Sequence, residues 1–421
     1  MYEKIRESFL NELSNYYSTG QMPAHASVNM RRALTEHSDR LKQKGIRYSP
    51  KFISVRDERA NESRFDTNSF ITCACSKHCN TVFEYSDAAT TLKCDLTTDD
   101  VVYLQVIDRK DADKATKSAD QIIICPNCGH RATASGFLDG CPMCSTKFEI
   151  DNVFPCVNSY YSTIWPMPKS DTMPRAFVIA IKAGIGAGVT TGFLCGLLML
   201  MTGKGLLYAF LFGLAILVCA GWAAFVFSLL GSVIITSINA TAGAVALVAN
   251  TLDLHAATGS QRMTEDAVLP LDPGFSFKLF EGKILSHLRT LAFSGNRQNC
   301  SLYAGTGDLS FMDDLVDMRY RGATKLEKAI VVDDYLHLVM TVYLDNVYYR
   351  NGQFTKAREN FVVELVRRKE VQTIPDFSAY NINCASCGGS FDAVLSRKCP
   401  YCGSTYDLSS QDWSVILVAK K

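Results

Sequence analysis

The chain has 421 residues, 43 basic against 42 acidic side chains, and 48% hydrophobic residues. That length exceeds what one core usually organises, so two or three domains are expected. The near-zero charge balance lacks the basic surplus with which nucleic-acid binders displace counterions, so no nucleic-acid partner is expected.

The opening residues, Met1-Tyr-Glu-Lys-Ile-Arg-Glu7, are charged, without a signal-peptide core or an Arg/Ser-rich transit pattern. Ile5, Phe9, Leu13 and Tyr16 recur on one helix face, so a helix is expected there. Further on, Cys73, Cys75, Cys79 and Cys94 accompany His78. They could form a third metal site with His78, but Cys-x-Cys-x-x-x-Cys is not ribbon spacing and buried or incidental thiols are the favoured reading. Cys156, Cys195, Cys219 and Cys300 read as core or membrane residues.

Eight of the 16 cysteines form four Cys-x-x-Cys pairs. Cys125, Cys128, Cys141 and Cys144 make one ribbon, with 12 residues between the pairs; Cys384, Cys387, Cys399 and Cys402 make another, with 11. Two such turns bring four thiolates to one tetrahedral ion and leave no position for water, so two structural zinc ions are expected. A redox reading would expect one pair in a thioredoxin-like setting. Thiolates ligate only when reduced, which places both ribbons on the cytosolic side.

Between Ala183 and Asp253 the only charged residue is Lys204. A span from about Arg175 to Met201, a Thr202-Gly-Lys-Gly205 turn and a second span from Leu206 read as a transmembrane helical hairpin over 175–250. Leu206 to Asn250 is long enough for two spans. Ser228, Ser232, Thr236 and Asn239 lower its later apolarity, and it is taken as one span with a helical extension. Lys169, Arg175 and Lys182 flank the first span, so the expectation is a multi-pass plasma-membrane protein with both termini cytoplasmic and membrane lipids as partners. Gly184, Gly188, Gly192 and Gly196 make a close-packing ladder. Ala220, Ala224, Ser228 and Ser232 continue the spacing on the second helix, faces through which an oligomer could form. Apart from Arg175 and Lys182 at the cytosolic edge, the spans hold no Asp, Glu, Arg or His, which points to an anchor and not a pore.

The halves align as a repeat. Tyr2–Gly20 matches Phe277–Gly295 without gaps, and Ile5, Phe9, Leu13 and Tyr16 meet Phe280, Ile284, Leu288 and Leu291. Arg109-Lys-Asp111 matches Arg368-Lys-Glu370, and Lys147-Phe-Glu-Ile150 matches Thr405-Tyr-Asp-Leu408. In the second half Asp272-Pro273 reads as a helix cap and first turn, and Ser310 with Asp313 as a capping box. Asn351-Gly352 reads as a two-residue hairpin turn. Registered on that turn, Leu338 faces Leu365, Met340 faces Val363, Val342 faces Phe361 and Asp345 faces Arg358.

The expected fold is therefore α+β: two repeated helix-plus-curved-antiparallel-sheet, cone-like domains, each ending in a zinc ribbon, joined by the transmembrane hairpin. The divisions are 1–120 and 121–152 for the first repeat and its ribbon, then a linker, 153–174, and the hairpin, 175–250. A second linker, 251–271, leads to the second cone, 272–380, and its ribbon, 381–421.

Asp272-Pro-Gly-Phe275, Gly305-Thr-Gly-Asp-Leu-Ser310, Tyr320-Arg-Gly-Ala323 and the terminal ribbon with Asp412-Trp413 carry a resemblance. The stretch from Asp272 onward resembles bacterial membrane proteins that combine a C-terminal zinc ribbon with another domain. That domain is similar to the forty-four-kilodalton subunit of the mitochondrial inner-membrane translocase. The resemblance implies a nuclear-transport-factor-two-like cone and a membrane-associated binding role. It reaches the first half only through the repeat.

These features favour a membrane-anchored, non-enzymatic binding or scaffold protein for a peptide, protein or lipid partner. An enzyme is the alternative, with Tyr335, His337, Thr341 and Tyr343 on one strand face and Asp333 and Asp334 at its start. Against that stands the ordinary solvated face of a half-buried strand. Nucleic-acid binding by the ribbons ranks last, since the C-terminal ribbon offers only Arg397 and Lys398.

Overall fold

A computed structural model describes residues 2–54, 62–66, 70–110, 122–125, 127–137, 140–146, 154–163, 172–203, 205–207, 209–224, 257, 259–373, 382–394 and 396–421. Apolar residues at helical spacing open each half. Helix α1 (Tyr2–Thr19) buries Ile5, Phe9, Leu13 and Tyr16. Helix α2 (Val28–Gln43) follows, capped by Ser27, whose hydroxyl accepts from the Met30 amide at 3.3 Å. In the second half the short helix α5 (Ser260–Val268) leads to α6 (Phe277–Phe293), which buries Phe280, Ile284, Leu288 and Leu291.

Each half then builds a sheet. In the first, β1 (Arg47–Ser54), β3 (Phe70–Ser86), β4 (Thr91–Arg109) and β7 (Cys156–Thr163) lie in that order, and β2 (Glu62–Asp66) pairs with β3. In the second, β8 (Leu315–Val332), β9 (Tyr335–Arg350), β10 (Gln353–Arg368) and β13 (Ser414–Lys420) repeat the order. In both, the strands of the main path before the cysteine ribbon run antiparallel, and a strand after the ribbon returns to pair with the last of them. Each ribbon has its own short strand pair, β5 (Ile122–Ile124) with β6 (Arg131–Thr133) and β11 (Ile382–Asn383) with β12 (Ser390–Phe391). The returning strands also carry matching parallel bridges, Ala26 to Val157 and Tyr303 to Val415. Val157 lies 16 residues after Cys141, and Val415 lies 16 after Cys399.

The β9–β10 register is the one set by Asn351-Gly352: Val342 opposes Phe361, Met340 opposes Val363, Leu338 opposes Leu365 and Asp345 opposes Arg358. Asn351 and Gly352 have φ of 51° and 74°, as a primed hairpin turn requires. Two capping expectations are corrected. The α6 cap is Ser276, whose hydroxyl accepts from the Leu279 amide at 3.4 Å; Asp272 is spent elsewhere. Ser310 does not cap the short 3-10 turn Ser310–Met312; instead the Asp308 carboxylate accepts from the Ser310 amide at 2.8 Å.

The larger correction concerns the α+β architecture of separate cones. Residues Met1–Ile164 and Asp253–Lys421 form one compact unit, and Trp165–Leu252 form another. Within the first unit α2 packs on α6. The Arg40 guanidinium donates to the carbonyls of Phe293 at 3.1 Å and Ser294 at 3.3 Å, at the C-terminus of α6, and to that of Asp313 at 2.9 Å, in the turn before β8. A cation from one half thus satisfies the carbonyls that a helix C-terminus leaves without partners. His37 adds a 2.6 Å hydrogen bond between Nε2 and the Val316 carbonyl. Spacing along the chain gives no sign of such partners, which lie more than 250 residues away.

Among the described residues, no helix is long and apolar enough to cross a membrane. This overturns the transmembrane hairpin over 175–250 and, with it, the multi-pass plasma-membrane placement with cytoplasmic termini. Helix α3 (Thr172–Met201) has 30 residues. Lys204 and residues 225–250, where one span or two was open, lie outside the described residues, as do Lys147–Ile150. The second unit does contain a helix pair. A Cβ at Gly188 would sit 2.7 Å from the Leu217 carbonyl oxygen of α4 (residues 209–224), and one at Gly192 would sit 2.6 Å from the Leu217 Cβ. The contacting row on α4 is Ala209, Gly213, Leu217 and Gly221. The expected Ala220–Ala224 ladder is not that row. Phe193, Leu198, Leu207 and Phe210 are exposed on this unit.

Candidate metal centres

Each ribbon is built from two copies of one turn. In the first, the Gly129 amide donates to the Cys125 carbonyl at 2.9 Å, and the Ser145 amide donates to Cys141 at 2.8 Å. In the second, Gly388 donates to Cys384 at 2.8 Å and Gly403 to Cys399 at 2.9 Å. Every turn also closes through its first cysteine, whose amide donates to the carbonyls of His130, Thr146, Gly389 and Ser404 respectively, at 2.8–2.9 Å. The residue after each second cysteine turns left-handed: Gly129, Gly388 and Gly403 at φ 73°, Ser145 at φ 58°. Three of the four turns place glycine where the chain needs positive φ, and one does not.

These turns bring the sulfurs together. Within each group all ligand atoms lie within 4.8 Å of one another, so both tetracysteine clusters could hold a metal ion. Sγ separations are 3.6 Å for Cys125–Cys144 and 3.5 Å for Cys128–Cys141. In the second cluster they are 3.6 Å for Cys384–Cys402 and 3.7 Å for Cys387–Cys399. A disulfide would need about 2.05 Å, whereas a tetrahedral ion with metal–sulfur bonds of about 2.3 Å sets sulfurs about 3.8 Å apart. The spacing suits a shared ion.

Hydroxyls beside the sulfurs complete each cluster, and sequence reasoning overlooked them. Thr146 lies 3.0 Å from Cys144 Sγ, and Ser404 lies 3.1 Å from Cys384 Sγ and 3.0 Å from Cys402 Sγ. Donation from Thr146 lowers the Cys144 thiol to about 6, and donation from Ser404 lowers Cys384 to about 6. A signal was present: a hydroxyl residue stands two positions after the last cysteine of both ribbons.

The remaining candidates do not converge in this way. Cys73, Cys75, Cys79 and Cys94 are all buried; the first three line the core under α1, and Cys94 packs with Tyr85 and Val347. Among the described residues they belong to no metal-binding group. His37 and His287, which spacing did not single out, are both buried and depressed by desolvation, His287 to about 4.

The acid–base set is dispersed. His337 is half-buried with its Nδ1 3.0 Å from a Glu364 carboxylate oxygen. Asp334 pairs with Lys369 at 2.8 Å, and the Thr341 hydroxyl donates to Glu327 at 2.7 Å. Asp333 sits in the β8–β9 turn at φ 53°. Tyr335 lies under the Arg368 guanidinium, and Tyr343 under that of Arg321. These contacts form a lattice of ion pairs and ring contacts, without the assembled nucleophile, base and orienting group of a catalytic site.

No family model, curated protein or solved structure matches the chain.

Proposed function

We propose that this is a non-enzymatic binding or scaffold protein, held in shape by two structural zinc ions, whose joined halves present surfaces to a peptide or protein partner. The observation that carries the reading is the closure of both clusters, four sulfurs each with no vacant ligand position. A catalytic zinc keeps one position for water or substrate, whereas a four-cysteine ribbon spends all its ligands on folding. The dispersal of the residues around His337 adds support, as does the resemblance of the stretch from Asp272 onward to a translocase-subunit-like domain.

Elemental analysis of the purified chain should give two zinc ions per chain, and X-ray absorption should fit four sulfurs at about 2.3 Å around each. An oxygen or nitrogen ligand, or iron in place of zinc, would overturn the structural-zinc reading. Cross-linking in cells followed by affinity capture tests the binding role. A partner recovered in near-equal amount is expected; a fully zinc-loaded chain recovered alone would overturn it.

A further inference from the structure

The duplication supplies an internal control for one cavity. After the parallel bridge at Ala26 the first half runs straight into α2. After the equivalent bridge at Tyr303 the second half runs instead through Gly305-Thr-Gly-Asp-Leu-Ser310. A cavity of about 710 Å³ lies there, between this loop, the turn after α6 at Gly295–Arg297, and Arg397 of the second ribbon. That volume is within the range of small-ligand sites.

The charges in its wall are unequally spent. Arg297 donates to Asp313 and to the carbonyls of Leu291 and Ala292 at 2.7 Å each. Asp308 accepts from the amide and hydroxyl of Ser310 at 2.8 and 2.7 Å, which holds it ionised well into acid. Arg397 is anchored differently. Its amide donates to the Asn299 carbonyl at 2.9 Å and its Nε to the Cys300 carbonyl at 3.1 Å. Among the described residues its two terminal nitrogens meet no hydrogen-bonding partner. This is a fixed guanidinium whose outer edge matches the planar fork of an oxyanion. Two positions before Cys141, where the first ribbon corresponds to Arg397, the chain has Asp139. The cation is a feature of the second copy's sequence, and there it lines this cavity.

We propose that this cavity is an oxyanion site, in which Arg397 takes a carboxylate or phosphate group of the ligand in a bidentate pair beside the glycine loop. The proposal deepens the binding reading by naming the chemistry of the group bound, and it rests on that reading. Gly305 fixes the loop: a Cβ there would fall 1.9 Å from the Ile416 carbonyl oxygen, so the chain hugs β13 and leaves the space beyond it open.

The test titrates the full, metal-loaded chain with inorganic phosphate and, separately, with acetate. Saturable binding with Kd on the order of 1 mM is expected for at least one of them. The tighter arm assigns the ligand group as phosphoryl or carboxylate. Arg397→Gln should weaken binding at least tenfold with metal content unchanged, and Lys398→Gln should leave it unchanged. Thr306→Trp, which fills the cavity and keeps the guanidinium, should also abolish it. Saturation by neither anion, or wild-type binding by Arg397→Gln, would overturn the site. Partner capture without anion binding refutes this site alone; anion binding without a partner refutes the scaffold reading alone.

Discussion

Arg367 and Asp272 form a buried ion pair: a guanidinium nitrogen of Arg367 donates to Asp272 Oδ2 at 2.9 Å, with side chains 2% and 0% exposed. The Thr373 amide donates to the same oxygen at 3.0 Å, and the guanidinium lies 4.6 Å from the centre of the Trp413 ring. One pair therefore ties together the entry to α6, the end of β10 and the start of β13. Breaking it from one side strands a buried charge. Asp272→Ala should cost about 3–5 kcal/mol, whereas Asp272→Leu combined with Arg367→Met should cost much less than the two single changes together. Urea midpoints of the single and double variants measure this. Additive losses would show that the pair is not coupled.

A second expectation concerns pH. Burial depresses His287 to about 4, against attraction from Asp412, while the Lys283 ammonium beside it lowers it further. Lys283 and Asp412 are themselves paired at 2.6 Å. The folded chain keeps this imidazole neutral, while the unfolded chain protonates it near 6.5. Between those values the unfolded state binds more protons. The stabilisation is therefore complete above about pH 6.5 and is lost as pH falls towards 4. The loss attributable to His287 is about 3 kcal/mol. His287→Gln should flatten the dependence of the urea midpoint between pH 6.5 and 4.5 relative to wild type. Carboxylates and metal loss contribute to both chains and cancel in the difference. An unchanged slope would mean that His287 does not titrate in this window.

The four ribbon turns give a third. Ser145 adopts φ 58° where the other three turns have glycine at φ 73°. A side chain in that region costs about 1 kcal/mol. Ser145→Gly should make the first ribbon hold its metal about fivefold more tightly against a chelator. Gly403→Ala should loosen the second by a similar factor, because its added Cβ meets nothing within 4 Å and only the backbone strain is felt. Metal-release midpoints for the two variants report each ribbon separately.

The sequence alone determined what is local or periodic. Cysteine spacing defines both clusters because each Cys-x-x-Cys turn closes on itself through bonds between near neighbours. Asn351-Gly352 determines the β9–β10 register because a two-residue turn leaves the strands one way to pair. Helix stripes such as Ile5, Phe9 and Leu13 mark buried faces because the 3.6-residue period needs no partner to be seen. Tertiary structure decided what depends on distant partners. Asp272 is as good a cap as a buried anion until Arg367, 95 residues later in the chain, is brought against it. Arg40 is one more helix cation until it meets the carbonyls that end α6, one of several contacts between halves that lie in a single compact unit. Apolar composition between α3 and α4 shows that glycine rows can approach closely. Which rows meet, Gly188 and Gly192 against Gly213 and Leu217, follows from the rotation of each helix about its axis, which spacing in one chain leaves free.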